Sequence, residues 1–522
     1  MIKILLSLGR VDISEGEFKH CGKLEKFNIP SYIKEIKKET FYECTLLHKI
    51  TFPSSLKSIG NHAFYKCFSL TQLSIPPSTN FIGDYSFYRC TSLEKITILS
   101  REISIGNNSF EECSSLKLIV NFSYVKQIGN YAFCRCSSLE ELTRAFEAPN
   151  YNQPDIYNSS LNQETIQFSN TSFGDYAFYD CHSLKYIPIQ SSETSFGKSC
   201  FENCSTLKIV TIPPFTTELS DKCFCNCSSL EEIDIPSSVN LIGKGCFEKC
   251  IKLKGIIIPP SVIILDDNLF CECSSIKEIE IPSSVNSIGN SCFEKCTKLK
   301  KITIPPSTTK LGDKSFYNCC SIEEINIPSS VNSIGKSCFE KCTKLKRITI
   351  PSSITILDSN LFYDCKSIVE IDIPPSLEVI GEYCFYNCHS LKKISIPNSV
   401  KSIQSHAFYE CNSIIDISLP DRLTSIEDNT FNGCVSLTNI SLPHSLEEIK
   451  FGAFIKCISI KSITLYSDIS IEGFAFYGCK SLSNFNSRII NSIGEDAFTG
   501  CKSLKEKPVV GDGYSSLYCN IF

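Results

Sequence analysis

At 522 residues, with 20% charged residues and a net charge of -5, the chain offers no electrostatic case for binding nucleic acid or an anionic membrane surface. A single core of this length is expected to split into two or more domains, unless the chain grows by repetition. The unusual counts are 32 Cys, 35 Phe, one Met and no Trp; a disulfide framework is the usual reading of so many cysteines only in short secreted domains.

In chain order, the first element is the apolar start Met1-Ile2-Lys3-Ile4-Leu5-Leu6. It is too short for a secretory signal, and Met1, Ile4 and Leu6 fall on the strand pattern L-x-x-I-x-I, with Ile13 and Phe18 completing a first coil. No polar N-terminal cap is evident, so the open end is expected either to be covered by a partner or to continue in a longer chain. From there F-x-x-C ends at Cys21, Cys44, Cys67, Cys90, Cys113 and Cys136, always 23 residues apart. After a gap of 45 residues it runs from Cys181 to Cys457 at the same spacing, then takes two steps of 22 to Cys479 and Cys501. That makes twenty-one copies, in an array read as roughly twenty-two coils. The predicted organisation is residues 1–147 as six F-x-x-C coils, 148–172 as a degenerate repeat or an inserted loop, 173–506 as fifteen coils, and 507–522 as a C-terminal tail.

One unit, from Leu299, shows what each part does. Leu299, Ile302 and Ile304 give a short strand with one buried face, which Pro305 ends because proline cannot donate to a ladder. Pro30, Pro53, Pro236, Pro282, Pro328, Pro397 and Pro443 are its equivalents. Leu311-Gly312 is expected to form the next bend through left-handed φ at the glycine, with Asp266 and Asp358 tolerated at the same place. The segment leading to Phe316 and Cys319 is expected to be an irregular turn or a short helix on the outer side. A 23-residue unit cannot bury its own apolar side, but stacked units can, each advancing by about 4.8 Å. No run of about 18 apolar residues occurs, so no membrane insertion is predicted.

These units resemble the BspA-like surface antigens, whose repeat is the treponemal class of leucine-rich repeat. The segment Ile279-Glu280-Ile281-Pro282-Ser283-Ser284-Val285-Asn286-Ser287-Ile288-Gly289 and the segment Ala63-Phe64-Tyr65-Lys66-Cys67 match that pattern almost letter for letter. The resemblance spans nearly the whole chain. It implies a right-handed, curved leucine-rich-repeat solenoid, with short parallel strands on its concave face. It also implies a role in cell-surface adhesion or in binding extracellular or host proteins. An intracellular interaction scaffold is the alternative, so the location is left open between the cell surface and the cytoplasm.

The motif cysteines repeat with the core, which reads as a ladder of buried, small apolar thiols rather than disulfides, since stacked side chains point in parallel. A second row, Cys200, Cys223, Cys246, Cys292, Cys338 and Cys384, takes the place that Ala63, Ala132 and Ala177 hold elsewhere. The C-x-C pairs Cys134/Cys136, Cys225/Cys227 and Cys271/Cys273 have no complementary C-x-x-C or histidine pair, so neither metal nor cofactor is expected. The seven histidines are scattered along the chain, no nucleotide, esterase or zinc-protease motif occurs, and the chain reads as no enzyme.

One pattern exceeds the basic repeat. Cys200, Cys246, Cys292, Cys338 and Cys384 recur every 46 residues, so the middle of the array is a two-coil unit copied in tandem. Outward strand positions alternate with it: Glu231 and Glu232; Lys254; Lys277 with Glu278 and Glu280; Lys300 and Lys301; Glu323 and Glu324; Lys346 and Arg347; Glu370 and Asp372; Lys392 and Lys393; Asp416. Two readings follow. Cross-strand ion pairing is worth about 0.2–1 kcal/mol per pair. The other reading is a charge-striped face for a protein ligand, with residues 148–172 as a second candidate region.

Overall fold

The computed structural model describes residues 12–122, 125–143, 171–187 and 194–505, together with Ile189, Pro508, Val510 and Gly511. The expected first strand at Met1–Leu6 and nearly all of residues 148–172 and of the tail lie outside the described residues. The chain falls into two compact units, Met1–Val262 and Ile263–Phe522.

In each unit the coils stack as parallel ladders with a register of one repeat. In the first unit Lys26, Phe27 and Asn28 pair with Lys49, Ile50 and Thr51; in the second, Glu278, Ile279 and Glu280 pair with Lys301, Ile302 and Thr303. The strand alternation expected at Leu299–Ile304 is present: Ile302 and Ile304 are buried, while Lys301 and Thr303 are exposed. Most coils also carry a second, shorter strand after the proline corner, such as Ser58–Ile59 beside Phe81–Ile82 or Ser287–Ile288 beside Lys310–Leu311. The two ladders and the F-x-x-C side enclose one apolar column. Gln127 pairs with Ser172 and Phe133 stacks on Phe178 at 5.1 Å, so the ladders run directly from the coil before residues 144–170 to the coil after them.

The F-x-x-C side is turn throughout; the helical alternative does not occur among the described residues. In its place is a backbone ladder. The N–H groups of His62, Phe64 and Lys66 donate to Asp84, Ser86 and Tyr88 of the next coil at 2.9, 2.7 and 2.8 Å. Ser291, Phe293 and Lys295 repeat this on Asp313, Ser315 and Tyr317. The residues between them bond locally, as Tyr65 N–H does to the carbonyl of His62 at 3.3 Å. This geometry requires left-handed backbone two residues before and two after each motif Phe, as at His62 and Lys66 or Ser291 and Lys295. Left-handed backbone costs about 1–2 kcal/mol for a non-glycine residue, which the inter-coil hydrogen bonds offset.

The bend glycine has a different role from the one expected. Gly312 is not left-handed. It sits so close to the preceding coil that a Cβ would come within 2.6 Å of the Asn290 nitrogen and the Gly289 carbonyl carbon. Asp266 and Asp358 likewise keep ordinary φ, and each carboxylate accepts the next backbone N–H at 2.8 Å. The residue after this bend forms a further ladder: Asn61 accepts from Asp84 N–H, Asp84 from Asn107, and Asn107 from Asn130, at 3.0, 2.7 and 2.9 Å.

The core column is a stack of phenylalanines. Phe41, Phe64, Phe87 and Phe110 follow one another at 5.0–5.1 Å with nearly parallel rings, and Phe293, Phe316 and Phe339 at 5.5–5.6 Å. From Cys44 on, the motif cysteines lie under this stack as free thiols and donate to the carbonyl of the previous coil's Phe, as Cys67 does to Phe41 at 3.2 Å and Cys296 to Phe270 at 3.2 Å. Burial pushes thiols such as Cys67 and Cys90 up, and Cys44 to about 12, which keeps them protonated as donors.

Candidate protein-recognition face

The charged residues singled out above lie on or next to the segments of the longer ladder, on the side facing away from the buried partners that fill the core. In the first unit Lys254 Nζ meets Glu231 Oε2 at 2.5 Å, holding that carboxylate below and that ammonium above their ordinary pKa values. Glu232 is exposed beside them. In the second unit Lys346 pairs with Glu323 at 2.8 Å and lowers its pKa. Both pairs join neighbouring coils at the first outward position after the core leucine, so the cross-strand pairing reading is realised there.

The next outward position behaves differently. Strand register sets Glu278 beside Lys301, Glu324 beside Arg347, Glu370 beside Lys393, and Lys393 beside Asp416. This is an alternating row of seven exposed charges, a coil spacing of about 4.8 Å apart. Among the described residues none of the seven has an ion-pair partner, and neither have Lys300 and Lys392. The third outward position carries Glu280, Thr303, Asn326, Thr349, Asp372 and Ser395, all exposed.

The turn side shows what pairing looks like where it is made. Arg89 bonds Glu112 at 2.6 Å, Arg135 approaches the same carboxylate at 3.6 Å, and Lys295 meets Glu272 at 2.8 Å. Ladder charges one coil apart can therefore meet, and on the second outward row of the strand face they do not.

The histidines are taken up locally. His62 stacks on Tyr85 at 5.0 Å, His406 on Tyr383 at 4.6 Å and His444 on Tyr466 at 4.1 Å. His182 Nδ1 lies 2.9 Å from the carbonyl of Asn203. Among the described residues, no three His, Cys, Asp or Glu side chains are grouped to hold a metal ion, and no helix is long and apolar enough to cross a membrane. What the face offers chemically is charge in register on a rigid ladder. Sequence spacing located its residues; which of them pair and which stand free is set by side-chain reach, which spacing does not encode.

The family described as BspA type leucine rich repeat region matches in six copies, over residues 11–140, 155–277, 264–392 and 378–505. Among solved structures, a leucine-rich repeat protein from Bacteroides ovatus is similar at 24% identity, covering 89% of this chain and 92% of that one, with a TM-score of 0.48. One from Eubacterium ventriosum has 24% identity over 69% and 88%, with a TM-score of 0.40. A leucine-rich repeat protein of T. pallidum has 26% identity over 35% and 78%, with a TM-score of 0.27. No curated protein matches.

Proposed function

We propose that this chain, which belongs to the BspA-type leucine-rich repeat family, is a non-catalytic scaffold that recognises proteins through its strand face, in cell-surface adhesion or binding of extracellular or host proteins. The observation that supports this reading is the row Glu278, Lys301, Glu324, Arg347, Glu370, Lys393 and Asp416, held in register and left without ion-pair partners. Uncommitted charges on a rigid ladder steer a partner of complementary pattern and fix its register. A concave strand face, which the family resemblance implies, fits this reading.

The test is a charge reversal, Lys300→Glu, Lys301→Glu, Lys346→Glu and Arg347→Glu, in the full chain. For a protein partner recovered by crosslinking, the expected result is slower association and affinity reduced by about tenfold or more, with weaker salt dependence. Unchanged binding would move the site elsewhere. Location is tested separately, by labelling intact source cells with a membrane-impermeant reagent. Labelling supports adhesion; signal from broken cells alone supports the second reading, an intracellular scaffold, which the free motif thiols favour.

A further inference from the structure

One place on the strand face of the first unit departs from the repeat in three ways at once. At the third outward position, Thr211 and Asp234 occupy successive coils and are bridged to each other; the coil after them carries Ile257, which is 79% exposed. At the second outward position the same three coils carry Ile209, 58% exposed, then Glu232, then Gly255. A Cβ built on Gly255 meets nothing within 4 Å, so this position is open space, a notch only in that no side chain stands there beside Ile257. The backbone there is also released from regular pairing. Residues 253–258 belong to no strand, although Lys254 N–H still bonds the carbonyl of Glu231 at 3.1 Å and keeps the coil in step with its neighbour.

Between the two isoleucines stand Glu232 and Asp234, both exposed and neither in an ion pair. Of the nearby lysines, Lys254 is already engaged by Glu231 at 2.5 Å, and Lys208 and Lys252 also act on that carboxylate. An apolar anchor beside a vacant notch, rimmed by uncommitted carboxylates, has the composition of an interface centre and its polar border.

We propose that Ile257, Ile209 and the Gly255 notch, with Glu232 and Asp234, form a docking site for a partner protein segment that combines an apolar side chain with a neighbouring Lys or Arg. The apolar group enters the notch against Ile257, and the cation lies over Glu232 and Asp234. Burying the isoleucines supplies affinity, since removing apolar area from water is favourable. The carboxylates select against acidic segments, because an anion brought over them is repelled. This inference rests on the recognition role proposed for the strand face, but on different residues from the charge row of the second unit.

The experiment selects a phage-displayed dodecapeptide library on the full chain and retests the enriched peptides in synthetic form by fluorescence anisotropy. They are titrated against wild type, Ile257→Ser, the double variant Glu232→Lys with Asp234→Lys, and the four-site reversal at Lys300, Lys301, Lys346 and Arg347. All these side chains are exposed, and a melting curve matching wild type shows that each variant folds. The expected peptides pair a basic with an apolar residue. They lose about tenfold or more in affinity with Ile257→Ser and again with the double variant, as truncation of an interface anchor does, and are unaffected by the four-site reversal. Peptides indifferent to Ile257→Ser, or of net negative charge, overturn the inference. If their binding falls only with the four-site reversal, this site is wrong while the recognition role of the charge row stands.

Discussion

Each Phe of the motif has two jobs, a ring in the stack and a carbonyl that receives both its own cysteine's N–H and the thiol of the following coil. Phe293→Ala therefore opens a hole between Phe270 and Phe316, and the expected cost is about 3–5 kcal/mol, read as a lowered denaturation midpoint. Cys296→Ala removes a smaller volume and one buried donor, with an expected cost of about 1–3 kcal/mol. Histidine sets the acid limit locally. Burial lowers the pKa of His62 and His406 below the ordinary value of 6.5, and the Nδ1 of each is buried without a partner. Glu39 and Asp84 face His62, with Lys38 and Lys19 opposing them; Glu382 and Asp428 face His406. The unfolded chain binds these protons more readily than the folded one, so stability is fully present above pH 6.5 and lost as pH falls through the lowered folded values. Urea titrations across that range should show the loss, and His62→Phe with His406→Phe should flatten it.

At the scale of the coil, the bend glycine is a spacing device. Gly312→Ala forces its Cβ against backbone of the preceding coil, and the expected penalty is about 1–3 kcal/mol, with no gain from reduced backbone freedom. The strand, the proline corner and the buried face were legible because period-two alternation and proline's missing N–H leave direct marks at Ile302, Ile304 and Pro305. The turn side was not. Its left-handed positions are occupied by His, Lys, Tyr, Glu, Ser and Asn as readily as by Gly245 or Gly433, so no residue type marks them. The second strand of each coil is only two residues long at Ser287–Ile288 or Lys310–Leu311, too short for alternation to register. For the face, the 46-residue period gave the charges and their coil but not their partners: Lys346 reaches Glu323 while Arg347, one residue on, reaches nothing.

At the scale of the molecule, a stack of near-identical coils behaves as a sum of coils and interfaces. Deleting one whole coil of the second unit, residues 300–322, leaves Leu299 leading into Glu323 with every ladder still in register. The expected product folds, with unchanged circular dichroism per residue and a slightly lower melting temperature. Deleting half as many residues breaks the register and is expected to abolish cooperative melting. The turn-side ladder adds a direction to this arrangement. Its N–H groups all reach forward, from Phe64 to Ser86 and from Phe293 to Ser315, so a coil emerging from the ribosome meets a neighbour whose donors are already waiting. Construction is thus one-way, and a chain interrupted after any coil would end on the same three open donors that the last described coil presents at Asp496, Phe498 and Gly500.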